Sequence, residues 1–284
     1  MTTNEFTPGI YPNVPELDYH ARRFGPADSL SSTEAKRILT APALFRYHRD
    51  NGQEHNPAFD LGHVVHALVL GEGLSIYVHD HESLRSKVAR EDVQAHRDAG
   101  EVVIARADYQ QATAMADAVL AHPVAGPLFT DGIPEQSIYA HREGVWMRGR
   151  IDWTCGQPSN MGDDVLVDLK TTKSADPSGF TRTVTAFGYD VQREWYRDIW
   201  HLLTGDRPDF LHVLVEKSAP YLVSVVNLGY DFEEIGRNKV AQALDTYAQC
   251  LNSGEWPGYE PVIHEVDAPS WYVTANGLDE IEVA

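Results

Sequence analysis

In this 284-residue chain the residues best suited to chemistry fall in one central stretch. GVWMRGRIDW (144–153) is followed by the turn-rich TCGQPSNMGDD (154–164) and then by VLVDLKTTK (165–173). This reads as strand, loop, strand. Residues two apart on a strand share a face, so Asp168 and Lys170 point one way while Val167 and Leu169 point the other. On the first strand Arg148, Arg150 and Asp152 share a face by the same rule. A hairpin centred near Asn160 sets Asp152 opposite Asp168. That register is taken from symmetry, because the loop is too long for its turn type to define it. Two carboxylates so close repel unless a cation lies between them. Oxygen donors of this kind favour Mg²⁺ or Mn²⁺. Such a metal activates water and stabilises charge growing on a phosphate. Lys170 then positions the water or neutralises that charge. These are the parts of a phosphodiester hydrolase. The plainer reading is a surface hairpin whose Asp and Lys form a weak ion pair. Against it, Asp168 sits inside an apolar strand, a costly place for an idle charge.

Other elements must hold this hairpin. Ser31 with Glu34 three residues on is a capping box, predicting a helix from LSSTEAKRIL onward. A second helix is predicted over Ala43–Asp50, a third over Phe59–Leu70 with Gly71 as its stop, and an alanine-rich one over Ala105–Ala121. Gln136–Tyr139 has strand character. Tyr189–Leu203 reads as a helix, FLHVLVEK and YLVSVVNL as two strands around Ser218-Ala219-Pro220, and Phe232–Leu251 as a long closing helix. Strands cluster in the middle, with helices before and after. The fold class is therefore α/β (α+β), a mixed sheet flanked by helices. We read residues 1–284 as one domain, with residues 1–28 an extended N-terminal arm and 255–284 an irregular tail rich in Pro and Gly.

Composition narrows the classes. Hydrophobic residues make up 43% of the chain, enough for a sizeable core, and a charged fraction of 23% argues against wholesale disorder. No apolar run is long enough to span a membrane, and the acidic start lacks the apolar region of a signal peptide. Cys155 and Cys250 form no framework, so a reducing cytoplasm is expected. Neither GxGxxG nor GxxxxGK[ST] occurs, so no dinucleotide or P-loop site is suggested. The net charge of −19 weighs against nucleic acid. Its distribution softens the objection: Phe210–Ala284 holds 3 Lys+Arg against 12 Asp+Glu, whereas His141–Arg207 holds 9 against 10.

A set of motifs, in order, carries a resemblance. YPNVPELDYH, LSSTEAKRIL and APALFRYH open it. GHVVHALVLG places Gly62 and His66 in a G-x-x-x-H pattern. GRIDW holds Asp152, VDLKTT holds Asp168 and Lys170, and YDVQREWY holds Gln192 and Tyr196 as Q-x-x-x-Y. LVEKSAPYLVSVVNL and a helix ending in GEWPGY close it. From about Tyr11 to Trp271 the chain resembles the phage and prophage exonucleases of the exodeoxyribonuclease VIII (RecE) type, within the PD-(D/E)xK superfamily. The resemblance implies a restriction-endonuclease-like central mixed β-sheet. It implies a Mg²⁺-dependent deoxyribonuclease, with Mn²⁺ able to substitute. The activity implied is a 5′→3′ exonuclease on linear double-stranded DNA ends, leaving 3′ single strands for a single-strand annealing protein in recombination. A ring-shaped homo-oligomer and a cytoplasmic location, in the bacterial host if phage-encoded, go with it. So do the roles: His66, Asp152 and Asp168 as metal ligands with the Leu169 carbonyl as a fourth, Lys170 as the catalytic lysine, Gln192 and Tyr196 near the centre and the DNA, and Glu135 as an assisting acid.

Alternatives stay open at this stage. One is an endonuclease or single-strand nuclease of the same fold. Relatives carrying an iron–sulfur cluster need four cysteines and are set aside. Another is a catalytically silent scaffold that binds DNA or a partner. His66 on an apolar helix also reads as a core histidine, with His63 a decoy one turn away. The face shared by Gln192 and Tyr196 also reads as sheet packing. Arg148 and Arg150 either bind phosphate or pair with Asp163 or Asp164.

Overall fold

The computed structural model describes residues 6–52, 58–81, 83–155 and 164–277. The chain opens with β1 (Gly9–Tyr11), α1 (Glu16–His20) and β2 (Leu30–Ser31). α2 (Ser32–Thr40), α3 (Pro42–Asn51) and α4 (Ala58–Leu70) follow. β3 (Ile76–His79), α5 (Lys87–Asp98) and β4 (Val102–Ala105) form a small unit, then come α6 (Arg106–Ala121) and α7 (Ala125–Leu128). The central strands are β5 (Gly132–Arg142), β6 (Val145–Cys155) and β7 (Val165–Thr172). After them run α8 (Phe180–Phe187), α9 (Tyr189–Thr204), β8 (Asp209–Glu216), β9 (Val223–Asn227), α10 (Tyr230–Ser253) and α11 (Ser270–Ala275).

Seven strands form the main sheet in the order β1-β5-β6-β7-β8-β9, with β2 alongside β6. β7–β8 and β2–β6 are parallel and the other pairs antiparallel, so the sheet is mixed, as expected. β3 and β4 make a separate two-stranded parallel sheet. One apolar core lies between the main sheet and α2, α3, α9 and α10; a second lies between the sheet and α4 and α6. β7 shows why the strand alternates. Leu166 enters the first core, while Val165, Val167 and Leu169 enter the second. Asp168 and Lys170 therefore project on the side of Leu166, toward α9.

The local chemistry of the helices follows the sequence closely. Ser31 caps α2, and its box with Glu34 is complete. α9 is held from behind by charge. Glu194, fully buried, accepts hydrogen bonds from Arg193 (3.0 Å), Arg197 (2.9 Å) and Arg207 (2.9 Å). Arg193 and Arg197 also reach Glu233 of α10. Removing one partner from a buried network of this kind costs on the order of 3–5 kcal/mol, so α9 is firmly placed.

The N-terminal stretch differs from an extended arm. β1 pairs with β5, and α1 puts the Tyr19 carbonyl where Arg148 Nη1 donates to it at 2.7 Å. An aromatic cluster of Phe6, Tyr11, Phe24, Tyr139 and Trp146 explains this, since burying those rings outweighs the entropy of ordering the segment. The tail likewise carries the short α11, although its apolar side chains stay exposed.

Candidate metal centre

The site forms where three neighbouring strands bring carboxylates into line. The β6–β7 ladder runs Cys155↔Val165, Thr154↔Leu166 and Trp153↔Val167. These are the pairs of a hairpin centred at position 160, which itself lies outside the described residues. Asp152 and Asp168 continue the same line. On the other side of β6 the ladder passes from Pro134↔Trp153 to Gln136↔Ile151, so Glu135 stands on the line of Asp152. Glu135 has a left-handed backbone, φ +52°. That costs a non-glycine residue about 1–2 kcal/mol and marks a site held by its surroundings. The alternation of β6 breaks there too: Ile151 packs into the first core and Trp153, two residues on, into the second.

His66, Glu135 and Asp152 each offer a ligand atom, and these lie within 4.8 Å of one another. His66 comes from α4. Its Nε2 stands 2.8 Å from the Leu169 carbonyl. A carbonyl only accepts, so Nε2 donates to it and Nδ1 is the ring nitrogen left for a ligand. Nδ1 faces Asp152 Oδ2 at 3.6 Å. The same Asp152 oxygen accepts from the Leu169 N–H at 2.8 Å. Burial pushes the Asp152 carboxyl up, against the opposing pull of His66, and nearby Asp168 pushes it further. Glu135 is pushed up to about 7, first by burial and next by Asp152. Its partner is Arg150.

Asp168 lies outside that compact group. It is 1% exposed; its Oδ1 accepts from Lys170 Nζ at 2.6 Å and from Gln192 Nε2 at 2.7 Å. Its Oδ2 is buried with no hydrogen-bond partner among the described residues. Burial opposes the charge on Lys170, but Asp168 and Asp152 outweigh it and push the ammonium's pKa up. Tyr196 is buried beside them, and its hydroxyl hydrogen-bonds Ser32. Gly149 makes room for that ring: a Cβ there would come within 2.8 Å of Tyr196. The glycine of RGRID is thus a spacing requirement, readable only once the ring is seen above it. His212, the register partner of Asp168 on β8, is fully buried among Phe180, Tyr189 and Phe210, and burial pushes it down to about 4. A lone polar residue in the apolar run FLHVLVEK was its only sequence signal.

The two arginines act structurally. Arg148 is buried, bonded to the Tyr19 carbonyl and facing Glu34 at 3.9 Å. Arg150 bonds Glu135, the Val14 carbonyl (2.9 Å) and Ser137 (3.1 Å). Asp163, one alternative partner, lies outside the described residues, and neither arginine's described partners include Asp164. Both bind the N-terminal segment to the sheet because its buried carbonyls need donors.

These residues suit a divalent cation. Two carboxylates and an imidazole converge at ligand spacing, and an orphaned carboxylate oxygen lies nearby. Oxygen donors suit Mg²⁺, and the imidazole raises affinity for Mn²⁺ above it. A pH effect follows from Glu135. Below about 7 its carboxyl holds a proton that a metal must displace. Mn²⁺ affinity is therefore expected to weaken about tenfold per pH unit below that point. In Glu135→Gln that dependence should flatten, as read by calorimetry from pH 5.5 to 8.

Residues 31–263 match the model of a family described as a PDDEXK-like domain of unknown function (DUF3799). No curated protein matches the sequence. Among solved structures, a candidate exonuclease from Eubacterium rectale shares the fold, with a TM-score of 0.61 at 14% identity over 92% of this chain and 97% of that one. A phage-related exonuclease from Haemophilus somnus 129PT is a looser likeness, at TM-score 0.32 and 10% identity over 80% of this chain and 96% of that one.

Proposed function

Since the chain belongs to the family of PDDEXK-like domains, we propose that it is a Mg²⁺- or Mn²⁺-dependent deoxyribonuclease, acting as a 5′→3′ exonuclease on linear duplex DNA and leaving 3′ single strands for recombination. The observation that carries this reading is the buried convergence of His66, Glu135 and Asp152 beside the Asp168–Lys170 pair. The exonuclease description of the Eubacterium rectale structure that shares its fold supports it. Polarity, a ring of subunits around DNA and an annealing partner rest on the family resemblance.

His66, Glu135 and Asp152 would hold the cation, with Asp168 beside them and the Leu169 carbonyl on His66. When bound, the cation supplies a Lewis acid that lowers the pKa of water and offsets charge on the phosphate. The side chains do the rest. Lys170, kept as an ammonium by Asp168 and Asp152, cannot act as a base; it donates to the attacking water or to the phosphate oxygen that gains charge. Gln192 holds Asp168 Oδ1 so that Lys170 stays aimed. Glu135, pushed up to about 7 in the metal-free fold, would give up its proton to the cation and lend it a carboxylate oxygen. The Leu169 carbonyl fixes the ring of His66.

The test uses two substrates. Linear duplex labelled at either 5′ end should be degraded to short products with Mg²⁺ or Mn²⁺, and covalently closed circles should survive. Rapid linearisation of the circles would instead identify an endonuclease, and no cleavage of any DNA would leave a silent scaffold. Among the described residues no helix is long and apolar enough to cross a membrane.

A further inference from the structure

Where α8 passes into α9, the rings of Phe187 and Tyr189 stack, and that of Tyr189 lies beside Lys170. Phe187 is 61% exposed, and its ring stacks on Tyr189 with centroids 5.9 Å apart and planes 22° apart. Tyr189 is fixed from behind by Phe180 and His212. Lys170 Nζ lies 5.5 Å from the Tyr189 ring centre, and Lys36 Nζ, from α2, lies 5.9 Å from it. The catalytic lysine of the proposed mechanism and a second lysine therefore flank one aromatic plate.

Lys36 is placed with care. Its stem crosses Gly188, whose φ is +63° and where a Cβ would come within 2.7 Å of Lys36 Cδ. Its ammonium donates to the Phe187 carbonyl at 3.0 Å, its only hydrogen-bond partner among the described residues. Burial, and next the nearby Lys170, pull Lys36 down to about 8. A half-buried cation bonded to a carbonyl, its burial only partly offset by Asp168 and Asp190, is costly, and an arriving anion would relieve that cost. In a chain of net charge −19, two ammoniums beside the half-buried Tyr189 ring, on which exposed Phe187 stacks, are out of keeping with the surface. They match a nucleotide: rings stack bases of any identity, and ammoniums hold phosphates.

We propose that Phe187, backed by Tyr189, stacks an unpaired base next to the cleaved phosphate, while Lys36 holds the phosphate on the far side of that base. This rests on the nuclease reading and adds to it how the strand is gripped. Phe187 has the free face, so it is the residue to change; Tyr189 is packed and its loss would disturb the core.

The probe is a short single-stranded oligonucleotide carrying 2-aminopurine at its 5′ end, bound to Asp152→Asn protein so that it stays uncut. Stacking should quench the fluorophore. Adding Phe187→Ala should abolish the quenching and raise Kd roughly 5- to 150-fold, and Phe187→Trp should restore both. Adding Lys36→Gln should reduce the slope of log affinity against log salt by about 0.7, one phosphate contact on a single strand. Quenching that survives Phe187→Ala, or an unchanged salt slope in Lys36→Gln, overturns the proposal. The unsubstituted protein separates the two layers. If it cuts DNA while Phe187→Ala leaves quenching intact, only the stacking site falls; if it cuts no DNA with Mg²⁺ or Mn²⁺, the nuclease reading falls and the stacking site with it.

Discussion

Asp152→Asn is expected to abolish Mn²⁺ binding and lower DNA cleavage by on the order of 1000-fold or more, while the metal-free protein stays folded or gains stability. Asp152 stands at the centre of the line of acids, within ligand spacing of His66 and Glu135. Neutralising it removes the group those two share. The stability half follows from its shifted carboxyl. Burial raises the folded pKa above the unfolded one. Such a group adds stability below its unfolded pKa, and that stability is lost as pH rises through the folded pKa. Once ionised, the carboxylate is therefore a cost to the metal-free fold, which an amide of the same shape does not carry. Thermal melting with a chelator, beside calorimetry with Mn²⁺, reads both halves. A variant that melts much lower than the parent would make Asp152 a structural residue. One that still binds Mn²⁺ would remove it from the centre.

Lys170→Ala should act differently, slowing single-turnover cleavage about 100- to 1000-fold at saturating metal. Lys170 is 22% exposed at its side chain, so truncating it removes little from either core. Its ammonium is a donor beside the acids and not a ligand, so Mn²⁺ binding should persist, and tighten as a repelling charge leaves. Asp168 loses one of the two donors on Oδ1 but keeps Gln192. If Lys170→Ala cleaves within about threefold of the parent, less than one lost donor of this kind should cost, Lys170 is a strand residue paired with Asp168 and the catalytic assignment is wrong.

Much of this arrangement was legible in the residues alone. VLVDLK announces a strand buried on one face with Asp168 and Lys170 on the other, because the period of two leaves no choice. Helices α2, α3, α4, α6, α9 and α10 were readable to within a few residues from caps, glycines and apolar periodicity. The β3–α5–β4 unit was not. Its strands are four residues each and parallel, so no tight turn joins them, and their burial depends on α4 and α6 arriving from elsewhere. The N-terminal segment misled for a similar reason. Pro and Gly suggest a free arm, but aromatic residues scattered through it find Tyr139 and Trp146 only in three dimensions.

At the centre itself the division is sharper. The sequence by itself determined which residue types are present and which of them share a strand face, since both follow from local geometry. With a hairpin register taken from symmetry, it set Asp152, Asp168 and Lys170 in one small volume. Only the tertiary structure decided the grouping. The left-handed turn of Glu135 and the break in β6 carry that acid to His66 and Asp152, and the buried contact with Gln192 draws Asp168 toward Lys170. Lys36 and Tyr189 lie 134 and 19 positions from Lys170 in the chain, yet stand beside it in the fold. No spacing rule connects such positions, because packing of α2 and α9 on the sheet, and not the period of any one element, sets their distance.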